Sequence, residues 1–294
     1  MVLAAGLGTR LRPLTDHRAK PAVPFMGAPL VRRLVEQLHS AGCREPVVNT
    51  HHLPRTVLSA LEGLAFVPSH EPNVLGTAGG IGFALARGCL DRSRPVIVVN
   101  GKLHTSIDFA ALVRAHQESE AAVTMALVPN RLREAFREVF VEDGRVVGFG
   151  LGRAPQSEAP LAFTGIQVLA PEVLARLAPV PSDTVRDVFP ALIAERRVRA
   201  QVVDARWWEF STPERYLGLH LRARREGLPD PSAGTGRARD CVVWPDVDLS
   251  PERALFRCVV LCPAPPELDG LRDAVIHPGG VLPLDPALVD QAAS

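Results

Sequence analysis

Over roughly the first two thirds of the chain, short apolar runs alternate with stretches whose apolar residues recur at helical spacing. "MVLAA" (1–5), "EPVVNTH" (45–51), "AFVPSHE" (65–71) and "RPVIVVNG" (94–101) read as strands, the last strongly β-branched. Between them, "PLVRRLVEQLHSAG" (29–42) and "RTVLSALEGL" (55–64) read as amphipathic helices, and "GTAGGIGFALARGCL" (76–90) as a loop running into a helix. "TSIDFAALVRAH" (105–116) reads as a helix start capped by Asp108. Further on, "AAVTMALVP", "FVEDGRVVGF" and "LAFTGIQVL" predict strands, with a hairpin turn at Asp143-Gly144. Strands alternating with helices imply βαβ units. The expected fold is therefore α/β, a mixed, mostly parallel sheet flanked by helices, with ligand sites at the carboxyl ends of its strands.

From about residue 227 the pattern changes to Pro- and Gly-rich sequence with little helical periodicity. Three apolar triplets, "CVV" at 241, "CVV" at 258 and "AVI" at 274, recur about every 17 residues, each beside a turn-rich segment. Such a period suits a short, irregular left-handed β-helix; a loose extended tail wrapped on the main domain is the alternative. The division expected is a catalytic-type domain over 1–226, then a linker and C-terminal appendage over 227–294. The appendage is expected to serve packing or self-association into a homo-oligomer.

Composition narrows the class of partner. Lys and Arg number 33 against 32 Asp and Glu, a formal net charge of +1, so nothing points to nucleic acid or an anionic membrane surface. Phosphate-binding charge must then be local. No apolar run approaches the ~20 residues of a membrane span. Five cysteines without a CxxC pair predict reduced thiols, and the expected location is the cytoplasm.

The richest local chemistry lies in "LAAGLGTRLRPLTDHRAKP" (3–21). A strand ending at Ala4-Ala5 leads into a turn whose small residues let backbone N–H groups approach an anion, and Arg10, Arg12 and Lys20 add positive charge beside it. Gly6-Leu7-Gly8-Thr9-Arg10-Leu11 lacks the third glycine of a dinucleotide site, and no GK[ST] follows for a P-loop. A nicotinamide-dependent oxidoreductase is disfavoured on that count, and because "VVNTHHL" lacks an acidic residue at the end of the second strand.

Taken whole, this string resembles the signature of the nucleotidyltransferase (NDP-sugar pyrophosphorylase) family, L-A-A-G-x-G-T-R-L-x-P-L-T followed by P-K-P, with Ala19 replacing the first of those prolines. "EPNVLGTAGGI" (71–81), "FTGIQVL" (163–169) and "WWEFSTPERYLGLH" (207–220) extend the resemblance over roughly residues 1–225. It implies a Rossmann-like, glycosyltransferase-A-like fold. It further implies transfer of a nucleotidyl group from a nucleoside triphosphate to a sugar 1-phosphate, with GTP or UTP favoured and mannose 1-phosphate guanylyltransferases the nearest subgroup. By matching position, Arg10 and Lys20 would be catalytic. Ala4, Ala5, Gly6, Gly8, Thr9, Glu71, Gly76 and Thr77 would hold the nucleotide. Gly80, Asn100, Thr164 and Gly165 would hold the sugar. Glu71 is expected to accept hydrogen bonds from a base edge, and Thr77 is also compatible with a helix cap.

One segment departs from the family. Its members hold magnesium with two carboxylates, the Asp of an N/D-G-D strand end and the Asp of W-x-D-I/V-G-T-P, and those positions here are Lys102 and Glu209. Formal charge goes from −2 to zero. Lys102 stands in for the metal, or it repels magnesium and leaves a catalytically silent nucleotide- and sugar-phosphate-binding regulatory homologue. In a third reading magnesium travels with the triphosphate and is held by Glu209 alone. His104 is expected as an exposed loop residue.

Overall fold

The computed structural model describes residues 1–131, 134, 136–150 and 159–294. The alternating pattern folds into β1 (Val2–Leu3), α1 (Leu30–Ser40), β2 (Val47–Thr50), α2 (Pro54–Ala60), β3 (Val67–His70), α3 (Gly76–Ala86) and β4 (Val96–Asn100). There follow β5 (Leu103–Thr105), α4 (Phe109–Gln117), β6 (Val123–Pro129), β7 (Glu138–Glu142), β8 (Arg145–Gly150), β9 (Leu161–Leu169), α5 (Phe189–Ala194), β10 (Val198–Val202), β11 (Trp207–Glu209) and α6 (Pro213–Arg225). Local signals act where they were read. Asp108 caps α4, its Oδ1 accepting from Ala111 N at 2.9 Å. Asp143 and Gly144 both take the positive φ of a tight hairpin turn between β7 and β8.

Among the described residues these strands form a nine-stranded sheet in the order β3-β2-β1-β4-β9-β6-β10-β8-β7. Pairings from β3 to β4 are parallel, as is β6 with β10; those of β9 with β4 and β6, and of β8 with β7 and β10, are antiparallel. With the further antiparallel pairing of β9 with β7, the sheet is mixed rather than mostly parallel. The β7–β8 hairpin lies beyond β10, and β9 enters between β4 and β6, so both run antiparallel to the strands they join. Strand β1 lies third from one edge, with β2 and β4 on its two sides, so the loop leaving it opens where neighbouring connections diverge. Val2, Val48, Val99 and Ile166 are buried on one side of this sheet with α1 and α4, and Met1, Val47, Val98 and Leu169 on the other with α3.

Beyond α6 come β12 (Ala238–Arg239), β13 (Val242–Val243), β14 (Leu255–Val260), β15 (Arg272–His277), β16 (Gly280–Pro283) and α7 (Pro286–Ala293). The three sequence triplets stack in parallel register, Val242 on Val259 and Val259 on Val275. Their alternating side chains face two ways. Cys241, Cys258, Val260, Ala274 and Ile276 pack together, whereas Val242, Val259 and Val275 join Trp208, Phe210, Tyr216 and Val289 in a core shared with the first 226 residues.

Candidate functional site

The loop after β1 is held from below. Ala4 N donates to Asn49 Oδ1 on β2, and Asn49 Nδ2 donates to Glu71 Oε1 at 2.6 Å. Gly8 adopts φ +67°, which favours glycine, and a Cβ there would meet Thr15 Cγ2 at 2.9 Å. A short turn over Thr9–Leu11 follows, pinned by the fully buried Leu11 and Leu14. Gly6 has nothing within 4 Å of where a Cβ would lie, so its backbone faces open space.

That space is a cleft of about 440 Å³ bordered by Ala5, Gly6, Gly8, Thr9, Arg10, Lys20, Gly76, Thr77, Asn100 and Lys102, with Asn49 and Asp183. A smaller cavity of about 220 Å³ adjoins it, walled by Phe163, Gly165, Gln167 and Glu209. The two share Leu3, Thr77, Asn100 and Asp183. Gly165 lies at φ +75° and a Cβ there would fall 2.2 Å from Asn100 Nδ2, so only glycine lets β9 pass the end of β4 so closely.

The electrostatics of the larger cavity are cationic. Lys20, 9% exposed, has its pKa lowered to about 8, chiefly by burial, then by the Lys102 charge; Glu209 opposes this and Arg10 adds to it. Arg10 is exposed at the rim and has no ion-pair partner among the described residues. A two-stranded antiparallel ribbon, β5 with β11, sets Leu103 opposite Glu209 and brings Lys102 Nζ to 2.7 Å from Glu209 Oε1. Arg215 on α6 fixes the far side, donating from Nε to Glu209 O at 2.6 Å while its guanidinium pairs with Glu134.

Several expected contributors sit beneath the cleft rather than on it. Glu71 is buried, its second oxygen accepting from Leu75 N at 3.2 Å; burial raises its pKa against the hydrogen bonds from Asn49 and Leu75. It is a buttress with both oxygens engaged. Gly80 makes room for it, since a Cβ there would lie 2.6 Å from Glu71 Oε1. Thr164 is fully buried with Oγ1 donating to Ala126 O, and Ala4 contributes its backbone to Asn49. Thr77 lines the cleft, but as the second residue of α3 and not as its cap: Oγ1 donates to Asp183 Oδ2 at 2.9 Å and accepts from Thr184 N. His104 lies on β5, half-buried and stacked on Trp208, with burial first and then Arg33 lowering its pKa to about 4.

Asn49, Asp183 and Gln167 border these cavities and escaped the sequence reading. Asp183 reads locally as a cap, accepting from Val185 N and Arg186 N, and only a contact spanning 106 residues carries it to Thr77. Gln167 sits within a largely apolar strand, 3% exposed, with Oε1 unpartnered at the smaller cavity.

The residues present do not fit a resident magnesium ion. Such an ion demands near-octahedral oxygen ligands at ~2.0–2.1 Å. The carboxylate of Glu209 already accepts from an ammonium, and no group of three or more His, Cys, Asp or Glu converges among the described residues.

Comparison with known proteins identifies the family of the chain. The model of the family described as Nucleotidyl transferase matches residues 1–247. The mannose-1-phosphate guanyltransferase of Schizosaccharomyces pombe is 30% identical over 256 residues, covering 78% of this chain and 66% of that protein. The mannose-1-phosphate guanylyltransferase catalytic subunit beta of Dictyostelium discoideum is 27% identical, again over 78% of this chain and 66% of its own length. The chain thus spans about two thirds of these relatives. Among solved structures, HddC from Yersinia pseudotuberculosis complexed with GMP-PN superposes with TM-score 0.60 at 20% identity, covering 73% of this chain and 94% of that one. A sucrose complex from Bacillus anthracis, provisionally described as a glucose-1-phosphate thymidylyltransferase, gives TM-score 0.64 at 18% identity, covering 80% and 96%. No described helix is long and apolar enough to cross a membrane. With the family model spanning the sheet, the glycine loop and both cavities, the chain belongs to the nucleotidyl transferase family.

Proposed function

We propose that the cleft transfers a nucleotidyl group from a nucleoside triphosphate, GTP or UTP, to a sugar 1-phosphate, mannose 1-phosphate being favoured by the relatives' names. The observation that carries this reading is the pair of adjoining cavities. A glycine loop with Arg10 and Lys20 borders the larger one, and Asn100 with Gly165 forms the junction to the smaller. In that arrangement the triphosphate lies on the loop and the sugar in the smaller cavity beside Gln167, so their phosphates meet at the junction. A sugar phosphate oxygen attacks the α-phosphorus, the bond to the β-phosphate oxygen breaks, and pyrophosphate leaves with the electron pair. No covalent enzyme intermediate is needed; the protein aligns the two groups and stabilises developing charge. Arg10 supplies a planar donor pair to the departing pyrophosphate and Lys20 a point charge nearer the α-phosphate. Magnesium, where it takes part, arrives on the triphosphate.

Pyrophosphate release from GTP or UTP with a panel of hexose 1-phosphates tests this. Arg10→Ala is expected to lower kcat/KM by about 10²- to 10³-fold, the order for losing one charge-stabilising donor. The neutral Lys102–Glu209 pair favours a second reading, a silent regulatory homologue that binds sugar nucleotides. Triphosphate binding without pyrophosphate release from any pair would establish that one instead. We also propose that the stacked C-terminal strands form a short left-handed β-helix, a reading supported by their 17- and 16-residue parallel registers. Its end, where Val281, Leu282 and Leu288 are exposed, would be the self-association surface, and sedimentation of the full chain as a monomer would exclude it.

A further inference from the structure

We propose that the Lys102–Glu209 ion pair takes the place of a protein-held divalent cation between the two cavities, so that the cleft binds a nucleoside triphosphate without one. This rests on the nucleotide reading above.

Placement is the first support. Lys102 borders the larger cavity and Glu209 the smaller, so the 2.7 Å contact between them stands at the junction where two phosphates would approach each other. The second is rigidity. Surface ion pairs are held loosely and contribute little, but here the side chains are only 28% and 14% exposed, and both backbones are fixed. Phe210 N donates to Lys102 O at 3.1 Å, and Arg215 holds the carbonyl of Glu209. Trp208 on this ribbon packs edge-on against Phe25 and beneath His104. The ammonium is therefore delivered to a set position by the same two elements that would otherwise deliver two carboxylates.

Donor count is the third. A lysine ammonium has three N–H donors. One is directed at Glu209 Oε1, leaving two for phosphate oxygens. Glu209 thereby aims Lys102 and offsets its repulsion from Lys20 across the cleft. With Arg10 and Lys20 these donors give a metal-free triphosphate three cationic groups against the Asp183 carboxylate on the cleft wall, whereas a cation entering from solution would meet an ammonium at the only carboxylate on the ribbon.

Titration of GTP and UTP into the protein, once in EDTA and once in millimolar magnesium, tests the proposal without reference to turnover. The expected result is an affinity that changes by less than about tenfold between the two buffers. Lys102→Met should lose about tenfold or more of the affinity in EDTA. Lys102→Arg should retain most of it, and Lys102→Asp should bind only when magnesium is present. Melting temperatures of the unliganded variants identify any that fail to fold, in which case Lys102→Met against Lys102→Arg decides. A wild-type affinity that falls about tenfold or more in EDTA overturns the proposal while leaving the nucleotide reading intact, and so does a folded Lys102→Met protein with undiminished affinity in EDTA. A merely structural ion pair would lower the melting temperature of Lys102→Met and leave its metal dependence unchanged. Binding of no triphosphate in either buffer overturns the nucleotide reading itself, and this proposal with it.

Discussion

Lys20 shows how burial at one residue becomes a measurable property of the site. Its pKa falls from the usual 10.5 to about 8, mainly because the ammonium is desolvated, with Lys102 adding repulsion, Glu209 attracting and Arg10 repelling more weakly. The folded state therefore binds fewer protons than the unfolded chain between about pH 8 and 10.5. Through this group stability is greatest above that window and is lost as pH falls through about 8. A bound triphosphate would restore the charge on Lys20, so binding above pH 8 would take up a proton. Triphosphate affinity is expected to be flat from pH 6.5 to 7.5 and then to fall by up to about tenfold per pH unit between about 8 and 9.5; in Lys20→Met this loss should vanish. Calorimetric titrations in two buffers of different ionisation enthalpy would detect the proton directly. The glycine loop, Arg10 and Lys20 were legible in the sequence because one contiguous string contains them all. Thr164 and Glu71 were not placed correctly, because whether a strand side chain faces a cavity or the core depends on register and on which partners it finds. Asp183 was invisible for a related reason: its local role as a cap is satisfied whether or not Thr77 lies beside it.

Helix α3 carries the corresponding lesson for elements. The run 76–90 reads as a loop running into a helix, its glycines placed in the loop because each costs about 1 kcal/mol in a helix interior relative to alanine. It is nonetheless helical from Gly76, because its small face lets the backbone of residues 178–182 lie directly against it. A Cβ on Gly79 would sit 2.2 Å from Val180 O, and one on Gly82 2.4 Å from Ala178 O. In return Ser182 O accepts from Ala78 N at 3.1 Å and Gly79 N at 3.3 Å, supplying partners that the first turn of a helix otherwise lacks. Packing has overridden propensity, and the same contact positions Asp183 at the cleft. Gly79→Ala should therefore reverse the usual sign. Propensity alone predicts a gain of about 1 kcal/mol, but the required separation should give a net loss of about 1–3 kcal/mol in urea unfolding. A stabilised Gly79→Ala protein would show that the 178–182 segment gives way freely and does not brace the site.

For the molecule as a whole, the hydrophobic core continues across the composition change near residue 227. Tyr216 on α6 donates to Pro24 O at 2.5 Å, and Trp244 Nε1 donates to the Tyr216 hydroxyl at 3.3 Å, so the early chain, α6 and the stacked strands share one buried network. Helix α7 closes it. Gly218 on α6 has no room for a Cβ, with Val289 O 2.5 Å from that position, and Val289, Ala292 and Ala293 are buried. Apolar triplets recurring in the sequence reveal that strands stack, but not that alternate residues of each triplet face a second core contributed 200 residues earlier. Sharing of that kind should make unfolding cooperative. The full chain is expected to melt in one transition. A chain ending after Leu284, which loses the burial of Val289 and its two alanine neighbours, should be less stable by about 2–4 kcal/mol, as for one large aliphatic side chain and two small ones. For a chain of this size that is a fall of roughly 5–15 °C in Tm. Triphosphate binding is then expected to weaken as well, because loosening α6 releases the Glu209 carbonyl that Arg215 holds, and with it the partner of Lys102. Two separate transitions in the full chain, with the first leaving nucleotide affinity intact, would instead show that the stacked strands fold and melt on their own.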